Sequence, residues 1–267
     1  MLTDLQRKPD ERGTEPINTL ELDFGSIRKC RLTQITNMAR FEKPINATAT
    51  IDPIHSLIAS RSTSERSPRT YAVTLKFHGP QYDFPSRCCI KFASNRKEYD
   101  ALEWENEVYT LDLQRLQGDA VPRLYGFFGA DIGNGKVGCL VMELCTRIDA
   151  AILRHSERSR ELHRRVMVAI CKVHDANIWH GDLRYAHCVM NEGKVYIVDF
   201  AQASRHRCLG ASAPAVHDRD PQSVRGCGEL YDAESFFGKR SGGEREDAAL
   251  TKAGAWLVSA FTFGALG

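Results

Sequence analysis

Residues 180–200 read HGDLRYAHCVMNEGKVYIVDF. Within this stretch CVM is followed by NEGK and then by VYIVDF, two short apolar runs around a turn containing Gly193. The pattern predicts a compact antiparallel hairpin. In an antiparallel pair the end of the second strand returns beside the start of the first. Asp182 and His187 precede the first strand and Asp199 ends the second, so the three are expected at one end of the hairpin. Two carboxylates and an imidazole gathered there suit the holding of Mg2+ or the removal of a proton from a hydroxyl. Each residue alone has a plainer role available: an aspartate caps a turn, and a histidine bonds a backbone carbonyl.

Working outward, CCIKFA at 88–93 reads as a strand. Period two puts Ile90 and Phe92 on one face and Cys89, Lys91 and Ala93 on the other, so small neighbours leave room for a ligand beside Lys91. YAVTLKF at 71–77 is a strand ahead of it, joined by the turn-rich HGPQYDFP. After it, EYDALEWENEVYTLDLQRLQG carries Leu102, Trp104, Val108, Leu111 and Leu116 on one helical stripe that Gly118 ends. That helix offers Glu103, Glu105 and Glu107 as carboxylates for Lys91. VPRLYGFFGA and VGCLVMEL are two further strands with a turn at 131–135. A second helix is expected near 161–177, with Leu162, Val166, Ala169, Ile170 and Val173 as its apolar stripe. ELYDAESFFG at 229–238 also reads as helical.

Strands in the first half and helices in the second predict a two-lobed α+β fold rather than a repeating βαβ chain. The expected division is a polar, disordered tail over 1–20, a small β-rich lobe over 21–142 and a shortened, mainly helical lobe over 143–267 that holds the hairpin. Between Ser26 and Ile58 the β-branched residues are broken by Pro44 and Pro53 and suggest one or two poorly marked strands. SRSTSERSPRT at 60–70 reads as a solvated loop.

Composition narrows the function classes. The 267 residues hold 36 basic and 34 acidic side chains, a formal charge of +2, which gives no electrostatic case for nucleic acid as a partner. Hydrophobic residues at 42% exclude a disordered chain. Nine cysteines are scattered, only Cys88 and Cys89 are adjacent, and no C-x-x-C pair starts a zinc or redox site. Free thiols acting as small core residues point to a reducing, intracellular, cytoplasmic setting. MLTDLQRKPDERG lacks the apolar run of a secretory signal. AGAWLVSAFTFGALG at 253–267 is uncharged but shorter than the ~20 residues that span a bilayer, so no transmembrane segment is expected and it reads as a buried terminal helix.

A strand lysine, a helix glutamate, an apolar strand ending in MEL, then HGDLR and a hairpin ending in IVDF: in this order the motifs resemble the protein-kinase-like superfamily. The wording is closest to the fungal kinase-like and aminoglycoside-phosphotransferase-like groups, which write H-G-D where many protein kinases write H-R-D. The resemblance covers about Tyr71 to Phe200. It implies that Lys91 contacts the α- and β-phosphates of ATP and is held by a helix carboxylate, Glu105, with Glu107 as the alternative. It implies that Glu143 to Cys145 form the hinge against adenine. Asp182 would orient or deprotonate the acceptor hydroxyl, and Asp199 would bind Mg2+. Four departures accompany these roles. His187 stands where the superfamily has a metal-binding Asn, and a ring nitrogen is a poorer ligand for a hard cation. D-F-G reads Asp199-Phe200-Ala201. No glycine-rich loop precedes Lys91, and no A-P-E follows Asp199.

The expected function is therefore ATP-dependent transfer of the γ-phosphoryl group to a hydroxyl acceptor, protein or small molecule. The alternative is a catalytically weak or dead kinase-like binding scaffold, a pseudokinase. A metal-dependent hydrolase built on Asp182, His187 and Asp199 alone, without Lys91, is the third reading.

Overall fold

Alternation of apolar and polar residues drives much of the first half of the chain into strands. The structure, a computed structural model, describes residues 19–25, 29–35, 46–51, 57–59, 68–78, 87–133, 135–148, 156–210 and 227–237. The chain divides into two compact units, one of residues 1–117 and 122–145, the other of 118–121 and 146–267.

The first unit is built on a sheet of β1 (Thr19–Asp23), β2 (Lys29–Gln34), β3 (Asn46–Thr50), β4 (Leu57–Ala59), β5 (Arg69–His78), β6 (Arg87–Ala93), β7 (Leu124–Ile132) and β8 (Gly135–Glu143). Its order is β3-β1-β2-β7-β8-β6-β5-β4, and β3 also pairs with β5. That extra pairing closes the sheet into a ring, and a closed sheet leaves no long exposed edge. The long β5 carries β4 at its start and β3 at its end along one edge, with β6 along the other. Inside the ring lies an apolar cluster that includes Leu20, Leu22, Leu32, Ile51, Tyr71, Cys88, Ile90 and Phe128. Ile90 and Phe92 belong to this inner face.

β1 begins two residues inside the tail expected over 1–20, because Leu20 and Leu22 alternate into the core while β1 pairs with β2 and, in parallel, with β3. Three strands rather than one or two lie between 26 and 58. Most of the Ser/Arg loop, all of the 253–267 segment and most of the 1–20 tail fall outside the described residues.

Helix α1 (Arg96–Glu107) starts at Asn95, whose side chain accepts from the Glu98 backbone N–H at 3.1 Å, while Glu98 accepts in return from the Ser94 backbone and hydroxyl. This reciprocal pairing satisfies donors that a helix start leaves open. The expected helix to Gly118 does not run straight: after Glu107 the chain takes a π turn over Val108–Asp112 and a 3-10 turn over Gln114–Leu116. The changed pitch turns Leu111 out to 66% exposure and buries Leu113 in its place.

The second unit contains β9 (Thr146–Arg147), α2 (Ser156–Asp175), β10 (Ile178–Trp179), β11 (Cys188–Asn191), β12 (Lys194–Ile197), β13 (Ser204–Arg205) and α3 (Gly228–Phe237). Leu162, Val166, Ala169, Ile170 and Val173 form the buried stripe of α2. β11 and β12 pair from Cys188↔Ile197 to Asn191↔Lys194, with Glu192 and Gly193 both at positive φ, the two-residue turn that suits a twisted hairpin. Among the described residues no helix is long and apolar enough to cross a membrane. None of the nine cysteines is in a disulfide.

Candidate functional site

The hairpin delivers its three chemical residues to one end. The backbone N–H of Val198 donates to the His187 carbonyl at 2.9 Å, extending the ladder and drawing Asp199 beside His187. His187 Nε2 lies 3.1 Å from Asp199 Oδ2, and His187 Nδ1 lies 2.7 Å from the backbone carbonyl of Asp182. A carbonyl only accepts, so Nδ1 carries a proton, and Nε2 is the nitrogen turned to the carboxylate. Asp199 sits in left-handed backbone at φ 73°, ψ 64°, a conformation that L residues seldom adopt. Asp182 is partly exposed, and its Oδ2 accepts from Arg184 Nη2 at 2.6 Å.

The loop before Asp182 is held from below. His180 is buried, donates through Nε2 to the Val198 carbonyl at 3.0 Å, and accepts at Nδ1 from the Asp182 backbone N–H. Burial pushes its pKa down, so the neutral ring is favoured. Gly181 has φ +78°, and a Cβ there would collide with the Gln202 carbonyl. Glu229, buried on α3, accepts from the backbone N–H of His180 at 2.7 Å and of Gly181 at 2.8 Å, and from His174 Nε2 at 2.9 Å. Burial alone would raise the Glu229 pKa, but these three donors outweigh it and hold the carboxyl below its usual range.

In the first unit Lys91 Nζ meets Glu105 Oε2 at 2.6 Å, and both side chains are withdrawn from water. Of the three helix glutamates Glu105 is thus the one that meets Lys91; Glu103 is exposed and Glu107 half-buried. Glu143 ends β8, where its backbone N–H and side-chain Oε2 form a reciprocal pair with the backbone of Arg123. Cys145 is half-buried, its thiol 3.8 Å from the Glu143 carbonyl.

Asp182, His187 and Asp199 come together as expected from the hairpin, and Lys91 and Glu105 form their own pair. Glu229 and His180 were not anticipated. Glu229 is remote in sequence from the loop that it holds, and no motif marks it.

Residues 90–224 match the family model of the RIO domain. They make up half of the chain and include Lys91, Glu105, Asp182 and Asp199. The chain belongs to the RIO-domain family. RIO domains are an atypical protein-kinase-like family, so the superfamily suggested by the motif order holds at that level. The mixed fold, with its β-rich unit and few helices, agrees with it. The RIO-domain match begins within β6, so β1 to β5 and the Glu229 anchor lie outside it. No curated protein sequence matches the chain.

Proposed function

We propose that the chain is an ATP-dependent phosphotransferase that passes the γ-phosphoryl group to a hydroxyl acceptor. The observation that carries this reading is the buried Lys91–Glu105 pair inside a RIO domain. A desolvated ion pair contributes little to stability beyond what apolar residues of similar volume would give. Its presence supports a use for the charge, and a lysine fixed by a carboxylate is the element that kinase-like proteins set against nucleotide phosphates.

The second unit carries Asp182 and Asp199, the residues this reading assigns to the acceptor and the metal. Asp182 is partly exposed at a loop held by Glu229, as a group that receives an acceptor hydroxyl must be. Asp199 offers a carboxylate oxygen of the type that Mg2+ prefers, so the residue fits that ion. Mg2+, when bound, neutralises charge on the phosphates of ATP. His187 Nε2 faces the same carboxylate and fits Mg2+ less well, since imidazole nitrogen suits transition metals better than hard cations. Glu143 and Cys145 are assigned to the adenine edge, and the two compact units to the two lobes of a kinase-like protein. The H-G-D wording shared with the fungal kinase-like and aminoglycoside-phosphotransferase-like groups supports small-molecule hydroxyls as well as protein side chains as acceptors.

One observation favours a second reading, a kinase-like scaffold without turnover: the Asp199 carboxylate already has an imidazole partner at 3.1 Å. Thermal unfolding with and without Mg·ATP separates the two. A ligand at a hundred times its dissociation constant adds about 2.7 kcal/mol, a shift of about 5–10 °C in a domain of this size. The phosphotransferase reading expects that shift in the wild type, its loss in Asp199→Ala, and phosphoryl transfer that Asp182→Asn abolishes. No shift, and no hydrolysis or transfer by the folded protein, would leave the scaffold.

A further inference from the structure

A second group of chemical side chains lies in the second unit, apart from Asp182, His187 and Asp199. His174 on α2, His206 and Cys208 just after β13, and Cys227 just before α3 each offer one ligand atom, and the four atoms lie within 4.8 Å of one another. His174 and Cys227 are buried, and His206 and Cys208 are half-buried. Cys208 Sγ is 3.6 Å and Cys227 Sγ 3.4 Å from His174 Nδ1. A tetrahedral zinc ion with ordinary Zn–S and Zn–N bonds sets its sulfur and nitrogen ligands ~3.6 Å apart.

Hydrogen bonding around the cluster points the same way. Glu229 is an acceptor, so His174 Nε2, 2.9 Å from it, carries the ring proton, and Nδ1 presents its lone pair to both sulfurs. One lone pair takes a bond from one thiol at a time, yet two sulfurs converge on it. His206 Nε2 is buried with no hydrogen-bond partner among the described residues. The His206 ring is fixed edge-on against His174 and against Trp179, with centroids 5.2 and 5.6 Å away. Its backbone N–H donates to the Asn177 carbonyl, and the Cys208 N–H approaches the Asn177 side chain. The donors are thus held in place by backbone and ring contacts. A carboxylate on the far nitrogen of a metal-binding histidine is the usual way such a ring is oriented and made more basic.

We infer that His174 Nδ1, a ring nitrogen of His206, Cys208 Sγ and Cys227 Sγ form a structural Zn2+ site. Four protein donors of the Cys2His2 type complete a tetrahedral shell and leave no position open for a substrate or water, so the ion's role is to fasten the chain. It joins α2, the segment after β13 and the start of α3. Through His174 and Glu229 it bears on the backbone of His180 and Gly181, the residues that carry Asp182. This inference rests on the cluster's own geometry and stands whether or not the chain transfers phosphate.

The test uses the full-length chain purified under reducing conditions. Elemental analysis is expected to find about one zinc per chain. The metal-stripped protein, given Co2+, should develop thiolate-to-metal charge-transfer absorption and the intense visible bands of a tetrahedral site. Cys208→Ser and Cys227→Ser should each lower the metal content and weaken these bands. Cys171→Ser, which changes a thiol on the same helix as His174 but outside the cluster, should leave both unchanged. Should a serine variant fail to fold, the Co2+ spectrum of the wild type decides alone. A folded wild-type chain that carries no zinc and gives no thiolate band with Co2+ would overturn the site. So would a disulfide between Cys208 and Cys227 in freshly purified, unoxidised protein.

Discussion

Lys91 and Glu105 stand almost wholly out of water at 2.6 Å, which makes them sensitive to loss of either partner. Lys91→Met takes from the buried Glu105 carboxylate its lysine partner, a change that costs about 3–5 kcal/mol. Lys91→Met combined with Glu105→Leu removes both charges and should recover most of that loss. Chemical denaturation of the single and double variants measures the difference, and a double variant no more stable than Lys91→Met would contradict it. Cys145 gives a contrasting expectation. Burial, reinforced by the Glu143 charge, pushes its thiol well above the ordinary range. The thiolate is the nucleophile, so raising the pKa removes it at neutral pH and postpones its appearance to more alkaline solution. Alkylation of Cys145, followed by mass spectrometry across pH, should rise later than in the unfolded chain. Equal rates at pH 7 would refute the assignment of a shielded thiol.

At the scale of elements, the break in α1 separates what a helical wheel suggests from what the chain does. Leu102 and Leu111 share the expected stripe, yet Leu102 is fully buried and Leu111 is 66% exposed beyond the π turn. Leu102→Ala should therefore cost about 2–5 kcal/mol, whereas Leu111→Ala should stay within about 0.5 kcal/mol. Comparable losses in urea unfolding would mean that the helix continues in its original register. The sequence could not announce this break, because Val108–Asp112 contains neither Gly nor Pro and its apolar residues fit an unbroken helix equally well. The β11–β12 hairpin was legible for the opposite reason. Its strands, its turn and both aspartates lie within one short segment, so local geometry alone brings His187 and Asp199 together.

For the whole molecule, legibility falls as contacts become less local. The wealth of strands in the first half follows from patterning. Closure of the first unit by β3–β5 and the parallel β1–β3 pair join short strands in which only alternating small and apolar residues mark the inner face. Nor does any spacing rule connect His174, His206, Cys208 and Cys227, which come from three separate elements; the absence of a C-x-x-C pair pointed away from zinc. The same wide separation sets what metal removal does. Every tie described for the cluster, from its four donors through Glu229 to His180 and Gly181, lies within the second unit. Stripping the ion should thus raise backbone exchange in peptides from residues 174–182, 204–210 and 227–237, while β6 and β8 keep their protection, because units with their own cores open with their own free energies. Hydrogen-exchange mass spectrometry with and without a chelator reads both at once. Loss of protection that is equal in β6, β8 and the 174–182 segment would show instead that the metal stabilises the chain as one cooperative block.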